Sequence, residues 1–367
     1  MVINADPRVF EQIALTRLPE LQVANGLFRA TAKLDGVDDQ GPPPTALSAA
    51  CIVLVGLRRA DEVGLDQPFA TGALRTTVLG ALSGHEAHAG DIGLALWAES
   101  RDDGGAIGEL TASLQRVASR KFDTLPLEQL AWVVTGLTEA AVLAGDGGQL
   151  GSLREEATSA LVSRASESGL FTEEGKRRNA AAAPVGNQFH VLNSLCQTMR
   201  ADSGSEAAAL AQSLATALLE LQRPDGSWPG LVDPQRGEAA ALYPVLTVTQ
   251  IALAPIALRV AGEQGLEGGF EAAINSGLAW AQGGNVLGFD LVHESESRLD
   301  RGILPRREPG AVARGFSNAS RRFRGRLPDL DPDRLILDPA ASSEDLGWVL
   351  AAWAGRSAWG RWGHPGS

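Results

Sequence analysis

The sequence predicts an all-α ring, an (α/α)6 toroid of about six helical hairpins, and three observations carry that expectation. Apolar residues recur at three- and four-residue steps along most of the chain, while alternating strand patterns are scarce. Short connections rich in Gly, Pro and Asp separate the helical stretches, with no low-complexity linker between them. A glycine followed closely by an aromatic residue recurs at or just after helix ends, at intervals of roughly 60–75 residues, each wide enough for one hairpin. A lone helix pair cannot bury its apolar face, so such repeats stack, and about six of them can close on themselves. A single domain over 1–367 is expected, with an Arg-rich insertion at about 298–326.

Each repeat can be read in order. Gly26-Leu-Phe28 ends the first helical stretch, and the apolar run Ala46 to Leu57 reads as a buried core helix. Gly93-Leu-Ala-Leu-Trp97 marks the second repeat. Phe122 to Leu143 is strongly helical, and Gly145-Asp-Gly-Gly148 connects it onward. Gly169-Leu-Phe171 precedes an irregular stretch, Lys176-Arg-Arg178 and Asn179 to Pro184, before a helix starts near Gly186. Glu206 to Leu221 leads into Arg223-Pro-Asp-Gly226-Ser-Trp228, then the apolar run Leu246 to Leu258. Phe270 to Ala281 and Gly288-Phe289 complete the series. The Gly26, Gly169, Gly226 and Gly288 loops are expected on one rim.

Composition narrows the function classes. With 44 acidic and 32 basic residues the net charge is −12, which gives no electrostatic reason to bind nucleic acid. Two cysteines, Cys51 and Cys196, lie in apolar stretches and exclude a disulfide scaffold or a Cys-based zinc site. No metal and no cofactor is expected. The two longest apolar runs fall short of the roughly 20 residues a bilayer requires, so no membrane span is expected. The first residues lack a secretory pattern, which points to the cytoplasm.

Leu218-Leu-Glu-Leu-Gln222-Arg-Pro-Asp225-Gly226-Ser-Trp228 resembles the Q-x-x-x-G-x-W repeat of squalene-cyclase-type and prenyltransferase-type toroids. Further stretches are similar to an uncharacterised bacterial family of single toroids associated with polysaccharide-biosynthesis loci. They are Gly90 to Trp97, Glu128-Gln-Leu-Ala-Trp132 with Thr135-Gly-Leu137, Gly169 to Phe171, Tyr243-Pro-Val245 with Gln250 to Leu258, Gly288 to Val292 and Leu346-Gly-Trp348. The chain departs from that family at Thr249, where a His is expected, and at Ser343-Glu-Asp345, where an Arg-Pro-Tyr-type segment is expected. Some polar groups of the family's site are therefore expected to be missing.

In a toroid, polar residues at one mouth surround a central cavity. Glu128 stands in an apolar helix, where a carboxylate is costly unless paired or functional. Asn187, Gln188 and His190 sit at a helix start, with His190 the natural acid or base. Tyr243, the single tyrosine, approaches the helix carrying Gln250; the pair can bind a hydroxyl-rich ligand, or the phenol can simply be buried. Trp228 is a packing residue or a substrate platform. Asp290, His293, Glu294 and Glu296 follow the Gly288 loop and Glu344-Asp345 precede the last apolar helix, which can set paired carboxylates at the cavity mouth, although Asp345 also reads as a helix cap and Asp225 as a turn residue. Arg306 belongs to a segment that can grip an anionic glycan or merely pair with the acidic body. His85 and His88 read as solvated, and Asp35-x-x-Asp38-Asp39 as a turn.

Glu128, His190, Tyr243 and Asp290 are thus the candidate catalytic residues; Asn187, Gln188, Trp228, Gln250, His293 and Arg306 are the candidate substrate-binding ones. The resemblance and these groups favour a carbohydrate-active enzyme, of hydrolase, lyase or epimerase type, acting on a glycan or small-molecule ligand in the central cavity. A terpenoid or prenyl-diphosphate cyclase-like enzyme is the alternative, requiring a dry chamber lined by aromatics around an isolated acid. A non-catalytic toroid that binds a glycan or a partner protein is the third possibility.

Overall fold

The computed structural model describes residues 6–29, 47–83, 87–118, 122–173, 182–202, 206–306, 331–339 and 342–356. Among the described residues, twelve α-helices alternate between an outer and an inner ring. The outer ones are α1 (Arg8–Leu21), α3 (Thr71–Leu82), α5 (Ile107–Ala118), α7 (Gly148–Val162), α9 (Glu206–Leu221) and α11 (Phe270–Ala281). The inner ones are α2 (Leu47–Glu62), α4 (Ala89–Glu99), α6 (Leu127–Ala144), α8 (Val185–Ala201), α10 (Ala254–Glu263) and α12 (Ser343–Trp353). A π-helical turn, Thr249–Leu253, leads into α10.

Each inner helix packs on the next, and α12 returns to α2, so the inner ring closes. The hairpins are offset by one element: α1 serves as the outer partner of α12, joining the two ends of the fold. Every residue of α4 is buried, as expected of a helix walled in on all sides. Glycines set the closest approaches. A Cβ on Gly136 would fall on the Gly93 carbonyl oxygen, and one on Gly56 would lie 2.6 Å from the Gly347 carbonyl oxygen, so α4 with α6 and α2 with α12 pack almost backbone to backbone.

Because inner helices run one way and outer helices the other, every outer-to-inner connection lies on the rim where inner helices begin. The Gly26, Gly169, Gly226 and Gly288 loops all belong to this rim, as the punctuation predicts. Gly93 does not; it lies inside α4. The rim also carries three small antiparallel sheets within the otherwise all-α architecture. One joins β1 (Ala183–Pro184), β2 (Leu231–Asp233) and β3 (Glu238–Ala241); a second joins β4 (Val245–Leu246), β7 (Gly302–Pro305) and β8 (Leu335–Asp338). The third pairs β5 (Val292–His293) with β6 (Arg298–Leu299). These strands are too short to have shown a period-2 pattern in the sequence.

One described helix, α6, is long and apolar enough to cross a membrane by length and composition. It is an inner helix, packed between α4 and α8.

Candidate active site

The repeated punctuation builds the rim. Gln22 and Gln222, at the ends of α1 and α9, each donate a side-chain amide hydrogen bond to the carbonyl of the glycine four residues on, Gly26 and Gly226. Both glycines have φ above +80°, a conformation only glycine adopts cheaply. The turn then drives Phe28, Phe171 or Trp228 fully into the core. Inner-helix glutamines lock two of these turns: Gln188 exchanges two hydrogen bonds with the backbone of Phe171, and Gln250 accepts from the Trp228 amide at 3.1 Å.

That wiring corrects three expectations. Gln188 and Gln250 are completely buried clamps on neighbouring turns, and Trp228 is buried with its indole N–H bonded to the Leu218 carbonyl. None of the three faces a ligand. An inner-helix Gln reads identically in sequence whether it bonds a sugar or a loop backbone, and only the recurrence of the clamp distinguishes them.

Glu128, by contrast, occupies the first turn of α6, and its Oε1 lies 3.7 Å from Nε2 of His190 on α8. Asp91 on α4, Glu173 on the α7–α8 loop, and Glu344 and Asp345 at the start of α12 complete a ring of carboxylates. Burial, with Glu344 and Glu173 nearby, pushes Glu128 up to about 8. Burial, then Glu344, takes Asp345 to about 7. Burial also raises Glu344 and Asp91, though the Ser48 hydroxyl, 2.5 Å from Asp91, offsets part of the latter. His190 is driven down to about 3 by burial. At neutral pH the Glu128–His190 contact therefore joins a protonated acid to a neutral imidazole, not an ion pair.

A floor lies beneath this mouth. Trp132 meets His190 edge-on at 5.6 Å, and Trp348 lies 5.0 Å from His190, 6.4 Å from Trp132 and 5.9 Å from Trp97. Helices α6 and α12 stand opposite each other in the ring, so these side chains meet across its axis and fill it. This replaces the open, aromatic-lined chamber that terpenoid chemistry would need. A cavity of 1060 Å³ opens at the other end of the ring, away from the Glu128 carboxylate group.

Arg164 holds the mouth in shape. Fully buried at the end of α7, its guanidinium donates to the carbonyls of Glu173, Asp123 and Leu125 at 2.7, 3.1 and 2.6 Å. It thereby ties the loop before Glu128 to the loop carrying Glu173. Asn187 donates to the Glu173 carboxylate at 2.7 Å, so it too lies at the mouth.

The remaining candidates lie apart from the Glu128–His190 pair. Asp290 is exposed and accepts the Val292 amide at 2.8 Å, a turn-stabilising role. His293 bonds Asp300 at 2.9 Å within the β5–β6 hairpin, where Arg298 also reaches Asp300. Tyr243 is buried under the Arg223 guanidinium, 5.7 Å from its ring centroid. Arg306 is exposed; Arg301 is the arginine that nears the site, 3.8 Å from Asp345. Arg307 and the other arginines to Arg326 lie outside the described residues, as do His85 and the Asp35–Asp39 turn. Asp225 bonds Ser227 as a turn residue, and Ser342, not Asp345, caps α12. Among the described residues, no three His, Cys, Asp or Glu side chains are grouped to hold a metal.

No family model and no curated protein matches the chain. Solved structures do. An unsaturated glucuronyl hydrolase specific for heparin superposes with a TM-score of 0.63 at 11% identity, covering 95% of both chains. A polysaccharide lyase gives 0.59 at 13% identity, over 96% of this chain and 97% of its own. A glycosyl hydrolase family 88 protein from Bacteroides vulgatus gives 0.60 at 11%, over 96% and 99%. The likeness establishes the α/α toroid.

Proposed function

We propose that the protein is a carbohydrate-active enzyme of hydrolase, lyase or epimerase type, acting at the mouth where the inner helices begin. The observation that carries this reading is the ring of carboxylates around a protonated Glu128. Sugar chemistry needs an acid that keeps its proton at neutral pH beside a base that does not. Glu128 is suited to give a proton to a departing glycosidic oxygen, or to a substrate carbon where a double bond is hydrated. Asp91, raised by burial but with its ionised form supported by the Ser48 hydroxyl, is the carboxylate suited to take a proton from water. The neutral His190 borders the Glu128 carboxyl at 3.7 Å, and the buried tryptophans beneath it keep water from the underside of the site.

The solved structures of the same fold include proteins that act on heparin or other polysaccharides, which supports the same reading. So does the resemblance to toroids of polysaccharide loci, and a cytoplasmic setting for such work is part of the proposal. The squalene-cyclase-like repeat is read as shared turn construction, since Gln222 serves its own loop.

The test is incubation with oligosaccharides bearing uronic acids, saturated and unsaturated at the non-reducing end, and separately with prenyl diphosphates, with products read by mass spectrometry. Turnover of a saccharide that disappears in Glu128→Gln supports the assignment. Turnover of prenyl diphosphates alone overturns it.

A further inference from the structure

The opposite end of the ring, where inner helices finish, holds the 1060 Å³ cavity, whose wall includes Arg59, Arg101, Arg200, Arg259 and Arg356. This charge has an ordinary structural explanation. Cations suit helix C-termini, Glu62 pairs with Arg59 and Arg101 at 2.9 Å, and Glu139 pairs with Arg200 at 2.7 Å. Arg259 stacks on Trp353, 4.2 Å from the ring centroid, and Glu263 lies within electrostatic reach of both Arg259 and Arg356. The wall therefore calls for no ionic ligand.

Its uncharged polar groups are different. Asn193 and Gln197 stand four residues apart on α8, on the face that carries His190 at the other mouth, and both line the cavity. Each is 5% exposed, yet neither Asn193 Oδ1 nor Gln197 Oε1 has a hydrogen-bond partner among the described residues. Trp97 on α4 lines the same cavity, also 5% exposed, and its indole nitrogen is unpartnered too. Gln188 and Asn285, which are also buried, are by contrast fully used. Gln188 exchanges two bonds with the Phe171 backbone, and Asn285 donates to the Trp280 and Phe289 carbonyls while accepting the Leu287 amide. Buried polar atoms without partners are costly, and three around one cavity mark groups that something other than the protein completes.

We propose that this cavity is a second binding site, distinct from the carboxylate mouth, for an uncharged, hydroxyl-rich molecule of mono- or disaccharide size. A carboxamide offers both a donor and an acceptor, and a hydroxyl answers to either, so two amides one helical turn apart can hold hydroxyls of one molecule. The indole N–H adds a donor-only contact. The volume is at the upper end of that of small-molecule pockets and far exceeds what a single bound water needs. The site stands independently of what the carboxylate mouth catalyses, because the tryptophan floor separates the two.

Calorimetric titration of the full chain with glucose, N-acetylglucosamine, maltose and glucose 6-phosphate tests it. At least one of the three neutral sugars is expected to bind, with an affinity that raised salt leaves unchanged. Asn193→Leu and Gln197→Met each remove an amide at nearly constant volume, and each should weaken that sugar about tenfold, the loss expected of one hydrogen bond. Melting temperature separates this from a structural role. An amide that serves only a ligand destabilises the unliganded protein, so neither variant should melt below the wild type. Glu128→Gln should leave the affinity unchanged, which keeps the result apart from the fate of the carboxylate mouth. No binding by any neutral sugar would mean that water alone completes the amides, and would overturn the proposal. Glucose 6-phosphate binding more tightly than glucose, unchanged affinity in both amide variants, or a lowered melting temperature in both would overturn it as well.

Discussion

The two mouths of the ring are built from the same inner helices and differ in sign. Carboxylates gather where the helices start and guanidinium groups where they end, the arrangement that the helix dipole favours at each terminus. A dipole alone would lower the carboxylate pKa values at the starting mouth. Glu128 and Asp345 are instead raised to about 8 and 7, so burial and mutual repulsion overrule the dipole there. The contrast teaches that the sign of each mouth follows from helix direction, whereas function is to be sought where burial overrules the dipole, as it does at Glu128 and Asp345.

The comparison can be broken outright by Gly136→Ala. The added methyl would collide with the Gly93 backbone, which cannot retreat as a flexible side chain can. A loss of roughly 3 kcal/mol or more is expected, measured by denaturant unfolding, and both mouths should fail together. Glu128→Gln sharpens it, because saccharide turnover should fall about 10²- to 10⁴-fold in steady-state kinetics while the protein stays folded. Arg164→Lys is a smaller perturbation confined to the starting mouth. A lysine cannot span the three carbonyls, and a loss of about 2 kcal/mol is expected by thermal unfolding.

The smallest expected effects lie in the pH dependence of stability. Glu128 gives up its proton near 4.5 when unfolded and near 8 when folded, so between those values the folded state holds more protons. Its contribution is complete below 4.5 and is lost as pH rises to 8. His190 behaves oppositely: folded near 3 and unfolded near 6.5, it stabilises above 6.5 and loses that contribution as pH falls to 3. Melting temperatures across pH 4–9 should show Glu128→Gln flattening the alkaline limb, and His190→Gln flattening the acid limb. A wild-type alkaline limb unaltered by Glu128→Gln would contradict the protonated acid.

Much of the ring was legible because its signals are local. Helical periodicity and the glycine–aromatic punctuation each lie within a few residues, and Glu128 stands out against its apolar neighbours. What stayed hidden depends on segments distant in the chain. Glu344 was legible as a carboxylate before the last helix, but Glu173 and Asp91 join it and Glu128 only when α4, α6, the α7–α8 loop and α12 meet. The arginine mouth was invisible for the same reason: Arg59, Arg101, Arg259 and Arg356 are scattered singly, while the arginine-rich stretch after 298 drew attention by density alone. Gln22 was missed although Gln22-x-x-x-Gly26-x-Phe28 repeats the Gln222 pattern; Phe in place of Trp concealed it. A search for that spacing with any aromatic would have found it.

The pairing of α1 with α12 has a consequence for synthesis. Phe10 packs on Trp353 at 5.1 Å, and the Glu11 carboxylate accepts the Gly355 amide at 2.8 Å, so α1 finds its partner in the much later α12. At ribosomal speeds of 5–20 residues per second, the apolar face of α1 waits on the order of 20–70 s for α12. Throughout that interval the nascent ring is an open arc whose α1 face lacks its partner. Closure of the ring therefore waits on α12, and until then the arc is held by its neighbour-to-neighbour helix contacts alone.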